Sequence, residues 1–255
     1  MKGNNFHVQM VVSLTPMVKA LLIANGAIWL AAVVVLQGFI LKNNMLFNIF
    51  GLAPGNFIES FQVWQPLTYM FLHSSSVWHL LFNGLIIWFI GAELEKIWGP
   101  REFLKYYLTC GVGAGLLFVA VIYSAVALFG LSPQFLYVPT IGASGAVFGL
   151  LVAYGVLFAE REIYFMMLFP MKAKHFILIL AGVEFFTLLT AGFGGAVNNT
   201  AHLGGFIIGL FYLLSKKHIH KFRQRKWLKK PGERKLKLVV DNDNKSKKDN
   251  KPTFH

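Results

Sequence analysis

Cysteine occurs once, at Cys110, so the chain carries neither an internal disulfide nor a multi-cysteine metal site. Aspartate is absent before Asp241, and charged residues make up only 14% of the 255 residues. So little charge cannot coat a water-exposed surface, which excludes an ordinary soluble domain of this length. The first fifteen residues include Asn4, Asn5, His7 and Gln9 and lack a short apolar core with a small-residue cleavage site. A removable signal peptide is therefore not expected, and the first apolar segment serves as its own insertion signal. What is plentiful is apolar length: 56% of residues are hydrophobic and the mean hydropathy is +0.57.

A membrane-spanning helix needs about 20 mostly apolar residues. Charge-free runs predict six, near 20–41, 77–92, 106–129, 144–159, 175–192 and 200–215. The third and fifth contain glycines, and the fifth also contains Glu184. Positive charge gathers in the connections retained in the cytoplasm. The leader holds Lys2 and Lys19, the second connection Lys96, Arg101 and Lys105, and the fourth Arg161, Lys172 and Lys174. The first connection holds only Lys42, and the third (130–141) and fifth (192–200) hold no charge. Both termini are thus expected to be cytoplasmic, with the second, fourth and sixth helices all running inward from the outer face. Fifteen of the 24 Lys and Arg lie after residue 215, against four acids. This basic tail, 216–255, reads as a juxtamembrane segment for anionic lipid, with nucleic acid as the less favoured partner, and its distal part from about Asp241 reads as disordered.

Polar groups collect at the outer ends of those three inward-running helices. The second begins "VWHLLFNG", where His79 and Asn83 stand four apart and share a face. The fourth begins "GASGAVFG" and the sixth is preceded by "AVNNTAHLGGFIIG". Ser144 and His202 sit just ahead of matching patterns, Gly145-x-x-x-Gly149 and Gly205-x-x-x-Gly209. Small-residue pairs of this kind let helix backbones approach closely in lipid. With the two glycine faces packed in register, Ser144 and His202 differ in height by roughly 3 Å at about 1.5 Å rise per residue, which an imidazole spans.

Glu93, Glu95, Glu160 and Glu162 belong to inner helix ends, across the bilayer from Ser144, so depth removes them from a Ser-His-acid relay and leaves Glu184 as a remote candidate. The residues then point to a serine and histidine dyad, His202 taking the proton that makes the hydroxyl nucleophilic. The unpaired N–H groups at the head of the fourth helix, with His79 and Asn83, are candidate donors to a developing oxyanion. Gly142 would let a substrate backbone come close. Phe148, one turn after Ser144, is placed to pack on His202, its plainer role being core filling.

"GASG" and "AHLGGFIIG", with "HLLFN" two helices earlier and "ELEKIWGPREFLKYYL" between, resemble the rhomboid family of intramembrane serine proteases from about Thr15 to Leu214. The resemblance implies an all-α, polytopic six-transmembrane-helix bundle over 1–215, with a partly submerged first-loop lobe at about 42–76. It implies Ser144 as nucleophile, His202 as base, and His79, Asn83 and the Ser144 backbone N–H around the oxyanion. It also suggests the fifth helix and residues 192–197 as a gate. Two departures stand out: Phe148 occupies a position often held by tyrosine, and Gln65 in "WQP" replaces the arginine of many relatives. His73 is assigned a structural role.

The expectation is an endopeptidase acting near the outer face on single-span or polytopic membrane proteins with helix-destabilising segments, in a bacterial plasma membrane. No cofactor, metal or nucleic acid is expected. A catalytically silent rhomboid-like binding protein and a transporter with helix mouths on a cavity are the rival classes.

Overall fold

In hydrocarbon every backbone N–H and C=O must be satisfied within the protein, so long apolar runs become helices. The computed structural model describes residues 13–165, 169–195 and 197–215. Nine helices and one hairpin, besides two short 3-10 turns (Tyr69–Phe71 and Pro133–Tyr137), follow in chain order among them: α1 (Pro16–Leu41), α2 (Met45–Phe50), α3 (Pro54–Ile58), α4 (Gln65–Thr68), α5 (Val77–Trp98), α6 (Pro100–Phe129), α7 (Ser144–Leu157), the antiparallel strands β1 (Glu162–Phe165) and β2 (Phe169–Lys172), α8 (Ala173–Gly195) and α9 (Val197–Ser215). The protein is an all-α polytopic membrane protein. Helices α1, α5, α6 and α8 are long and apolar enough to cross a bilayer, while α7 and α9 are shorter apolar helices. The basic tail lies outside the described residues.

Helix starts follow from local chemistry. Pro16 opens α1, where its missing N–H costs nothing. The orphan amides of Met17 and Val18 donate to the Glu95 carboxylate at 2.9 Å each, and the Thr15 hydroxyl donates to it as well. A buried acid from the far end of α5 thus caps α1 and ties the two helices together.

Helix α7 is buried on nearly every side and forms the axis of the bundle, packed against α6 and α9 and then α8. Its 14 residues amount to roughly 21 Å, shorter than the roughly 30 Å hydrocarbon core. Phe103, Tyr106, Tyr107, Cys110, Ala114 and Phe118 of α6 are fully buried against this centre, whereas Phe39, Leu128, Phe186 and Phe211 lie exposed where lipid would meet them.

The segment between α1 and α5 is a folded lobe pinned by Gln65. This side chain is fully buried, accepts from the Ala53 N–H at 3.1 Å, and donates to the Gln62 side chain at 2.7 Å and the Asn48 carbonyl at 3.2 Å. Trp64 beside it donates its indole N–H to the Ile49 carbonyl at 2.9 Å. The position where arginine was expected therefore holds the lobe together.

Two stretches differ from the sequence expectation. The fourth connection contains the β1/β2 hairpin, braced by Lys172 on Glu160 at 2.6 Å and by Lys174 on the same carboxylate. The Lys172 and then the Lys174 ammonium hold that carboxyl down at about 2. The fifth connection, placed at 192–200 between two charge-free spans, is helical on both sides of residue 196 despite its glycines and asparagines. Such residues lower helix propensity by only about 1 kcal/mol or less each, which tertiary packing overrides.

Candidate active site

The glycine patterns determine how close two helices come. A Cβ on Gly205 would lie 2.1 Å from the Gly145 carbonyl oxygen, and one on Gly209 would lie 3.0 Å from the Gly149 Cα. Gly145 thus faces Gly205 and Gly149 faces Gly209, so α7 and α9 run parallel and in register. Tyr106 closes the seam from α6, its hydroxyl donating to the Gly149 carbonyl at 2.7 Å.

At the head of this seam Ser144 is the first residue of α7, and His202 stands in the second turn of α9. Their Oγ and Nε2 atoms are 2.9 Å apart. Phe148 stacks on the imidazole, with centroids 4.4 Å apart and planes inclined by 22°, and Phe206 packs behind it at 5.1 Å. The ring is held in plane from below while its edge faces the hydroxyl.

The loop entering α7 is fixed at two points. Leu52 of the lobe and Thr140 exchange backbone hydrogen bonds at 2.9 Å, and the Gly142 N–H donates to the Tyr69 carbonyl at 2.9 Å. Gly142 then adopts φ +123°, and a Cβ there would sit 2.7 Å from Nε2 of His79. His79 itself is oriented from behind: its Nδ1 accepts from the Ser74 backbone N–H at 3.3 Å. An N–H has only a proton to offer, so the hydrogen of the neutral ring is on Nε2, the nitrogen directed at Gly142. Asn83, one turn along and buried, donates one amide N–H to the His79 carbonyl at 2.9 Å and retains a second. It lines a cavity of about 280 Å³ together with Asn25, His73 and Val77. The structure thus gathers Ser144, His202, Phe148, Gly142 and His79 at converging helix ends, with Asn83 one turn deeper.

His73 lies outside the helices, fully buried, its ring edge-on to His79 at 5.0 Å. Burial, and then the neighbouring His79, push its pKa down to about 4. Burial thus keeps this ring neutral beside His79. Among the described residues no three His, Cys, Asp or Glu side chains gather closely enough to ligate a metal ion.

Glu184, which depth left as the one remote acid candidate, lies near His202. Its carboxylate reaches Nδ1 of His202, 3.1 Å away. The sequence places Glu184 mid-span and the helix mouths at the surface. In the fold the middle of α8 comes level with His202 on α9.

Comparison with known proteins decides what this arrangement belongs to. The Rhomboid domain matches residues 60–217, well over half of the chain. The chain belongs to the rhomboid family. This rhomboid is 31% identical over 166 residues to "Rhomboid protease GluP" of Bacillus subtilis, covering 64% of this chain and 28% of that protein. It is 30% identical over 189 residues to "Rhomboid protease GlpG" of Salmonella typhi, covering 72% and 59%. With "Rhomboid protein 1, mitochondrial" of Saccharomyces cerevisiae it shares 32% identity over 150 residues, covering 58% and 41%. The aligned part spans between about a quarter and six-tenths of the length of these curated relatives. Like them at the level of family, this rhomboid is a multi-pass integral membrane protein.

Proposed function

We propose that this rhomboid is an intramembrane serine endopeptidase. One observation carries the reading: the 2.9 Å contact between the Ser144 hydroxyl and Nε2 of His202, at the head of a buried helix whose first amides have no partner within it. As Oγ attacks a substrate carbonyl, its O–H proton passes to His202, and the imidazolium returns that proton to the leaving amide nitrogen. The acyl-enzyme on Ser144 is then hydrolysed by water activated by the same base. Charge developing on the carbonyl oxygen meets the Ser144 N–H, Nε2–H of His79 and the free amide N–H of Asn83, each worth roughly 3 kcal/mol in the transition state. None of these steps calls for a metal or a nucleotide.

The Lys and Arg distribution supports six spans with cytoplasmic termini, and so a cut near the outer face. The substrate is a membrane protein whose helix is weak there, since a helical carbonyl is engaged and shielded. The tail meets anionic lipid through its cations, and a bacterial plasma membrane is the compartment proposed. Of the three relatives described above, two bear the name protease, which agrees with the reading.

The test is cleavage of a single-span model substrate in proteoliposomes, with a Gly-Pro pair moved along its helix. Cleavage is expected to track the pair when it lies near the outer interface and to vanish in Ser144→Ala. A protein that binds the substrate yet leaves it whole would instead be the silent, binding type of rhomboid.

A further inference from the structure

Helix α8 is held loosely, with 11% of its apolar span buried against 22% to 33% for α1, α5 and α6. A Cβ on Gly155 would lie 2.7 Å from Cγ1 of Ile177, so α7 and α8 touch at that point. Beside this contact the helices part. A cavity of about 410 Å³, a volume in the range of ligand pockets, is lined by Val152 and Val156 of α7, Lys174 and Ala181 of α8, and Ile207 and Leu210 of α9. Every lining residue is apolar except Lys174. Val156, Ile207 and Leu210 are exposed, so the cavity is a groove open to the surrounding lipid. It runs from Lys174 to Ala181, seven residues along α8, or roughly 10 Å.

We propose that this groove is a lipid site: it takes one acyl chain of an anionic phospholipid from the inner leaflet, with the lipid phosphate on Lys174. An apolar cavity of this kind does not hold water. Left unfilled, its walls forfeit dispersion contacts, and in lipid those contacts are what hold one helix to another. An acyl chain restores them and braces α8 against α7 and α9. The cation at the mouth selects the headgroup. Lys174 is the second residue of α8, on the side where the Lys and Arg distribution puts the cytoplasm, and its side chain is 39% exposed. Its ammonium has three N–H donors, and Glu160 takes one while also receiving Lys172. Glu162 stands opposite Lys172 in the hairpin, and Lys216 and Lys217 follow α9 directly in the sequence. Four lysines against two glutamates leave this rim cationic, complementary to a phosphate at the membrane surface. The site is independent of the chemistry at Ser144.

The experiment places the full chain in phosphatidylcholine nanodiscs with a trace of phosphatidylglycerol whose acyl chain carries a diazirine. After irradiation the adducts are mapped by mass spectrometry, and thermal midpoints are read with and without added phosphatidylglycerol. Adducts are expected to saturate and to concentrate around Ala181, Ile207 and Leu210, with phosphatidylglycerol raising the midpoint. Lys174→Gln is expected to lower groove occupancy about five-fold, the worth of one lysine near an anionic surface. Ala181→Trp and Val156→Phe fill the groove from opposite walls. Each is expected to abolish the groove adducts and the rise in midpoint, while adducts at lipid-facing Phe39 and Leu128 stay unchanged. Should both filled variants fail to fold, the exposed Lys174→Gln still decides, because surface substitution spares the core. Adducts spread evenly over the lipid-facing residues, or groove adducts that survive both fillings, would overturn the site. Equal occupancy by a phosphatidylcholine probe, or an unchanged Lys174→Gln, would overturn it through the headgroup. Displacement of the probe by a single-span substrate would give the groove to the substrate and overturn it as well.

Discussion

Gly142 carries two constraints at one position. Its φ of +123° lies in the region that L side chains rarely adopt, and a methyl group there would press on Nε2 of His79 at 2.7 Å. Gly142→Ala is therefore expected to displace the ring that would face the oxyanion and to lower kcat on the order of a hundred-fold, as the loss of one such donor does. Backbone strain should cost only about 1–3 kcal/mol, so the protein remains folded. Turnover measured beside the thermal midpoint separates the two effects; full activity in a folded Gly142→Ala would contradict the geometry. At this scale the sequence was informative because the chemistry-bearing residue types are scarce: serine and histidine in an apolar chain stand out by their cost. Gln65 was less legible. Its role depends on backbone atoms of Ala53, Asn48 and Ile49, which a loop without periodicity does not announce.

Between elements, the closest approach is that of α7 and α9. A side chain on Gly205 has no room beside the Gly145 carbonyl, so Gly205→Ala forces the helices apart along the seam that presents Ser144 and His202. We expect a loss of roughly 2–4 kcal/mol of stability, read as a lowered thermal midpoint, and a drop in fluorophosphonate labelling larger than the stability change explains. An unchanged midpoint would mean that the helices are not in this register. The pairing was readable from two four-residue spacings, since such spacings fix register without knowledge of depth. The relative heights of the helices were not readable: they depend on packing that brings the middle of α8 level with His202 on α9, and that is why Glu184 looked remote. The β1/β2 hairpin and the helical continuation of α8 toward α9 were missed for a related reason. Short segments are decided by packing, which outweighs their modest intrinsic preferences.

For the molecule as a whole, His73 couples folding to acidity. Its folded pKa is about 4, below the 6.5 of the unfolded chain. Between those values the unfolded state binds more protons, so stability rises with pH there. The contribution is complete above about pH 6.5, is lost as pH falls toward 4, and is flat below; its full size is about 3 kcal/mol. Thermal midpoints of the detergent-solubilised protein at pH 7, 5.5 and 4 should fall steadily, and His73→Gln should flatten that slope. An equal slope in the variant would remove His73 from the account. The class of molecule was legible throughout, because 56% hydrophobic residues with 14% charge admit few alternatives to a polytopic helical bundle. The central claim is that Ser144 is made nucleophilic by His202 across 2.9 Å. Its most direct test is the mass of the fluorophosphonate adduct and the peptide that bears it: the account predicts one adduct, on Ser144, absent in Ser144→Ala and strongly slowed in His202→Ala, whereas an adduct on another residue, or labelling indifferent to His202, would contradict it.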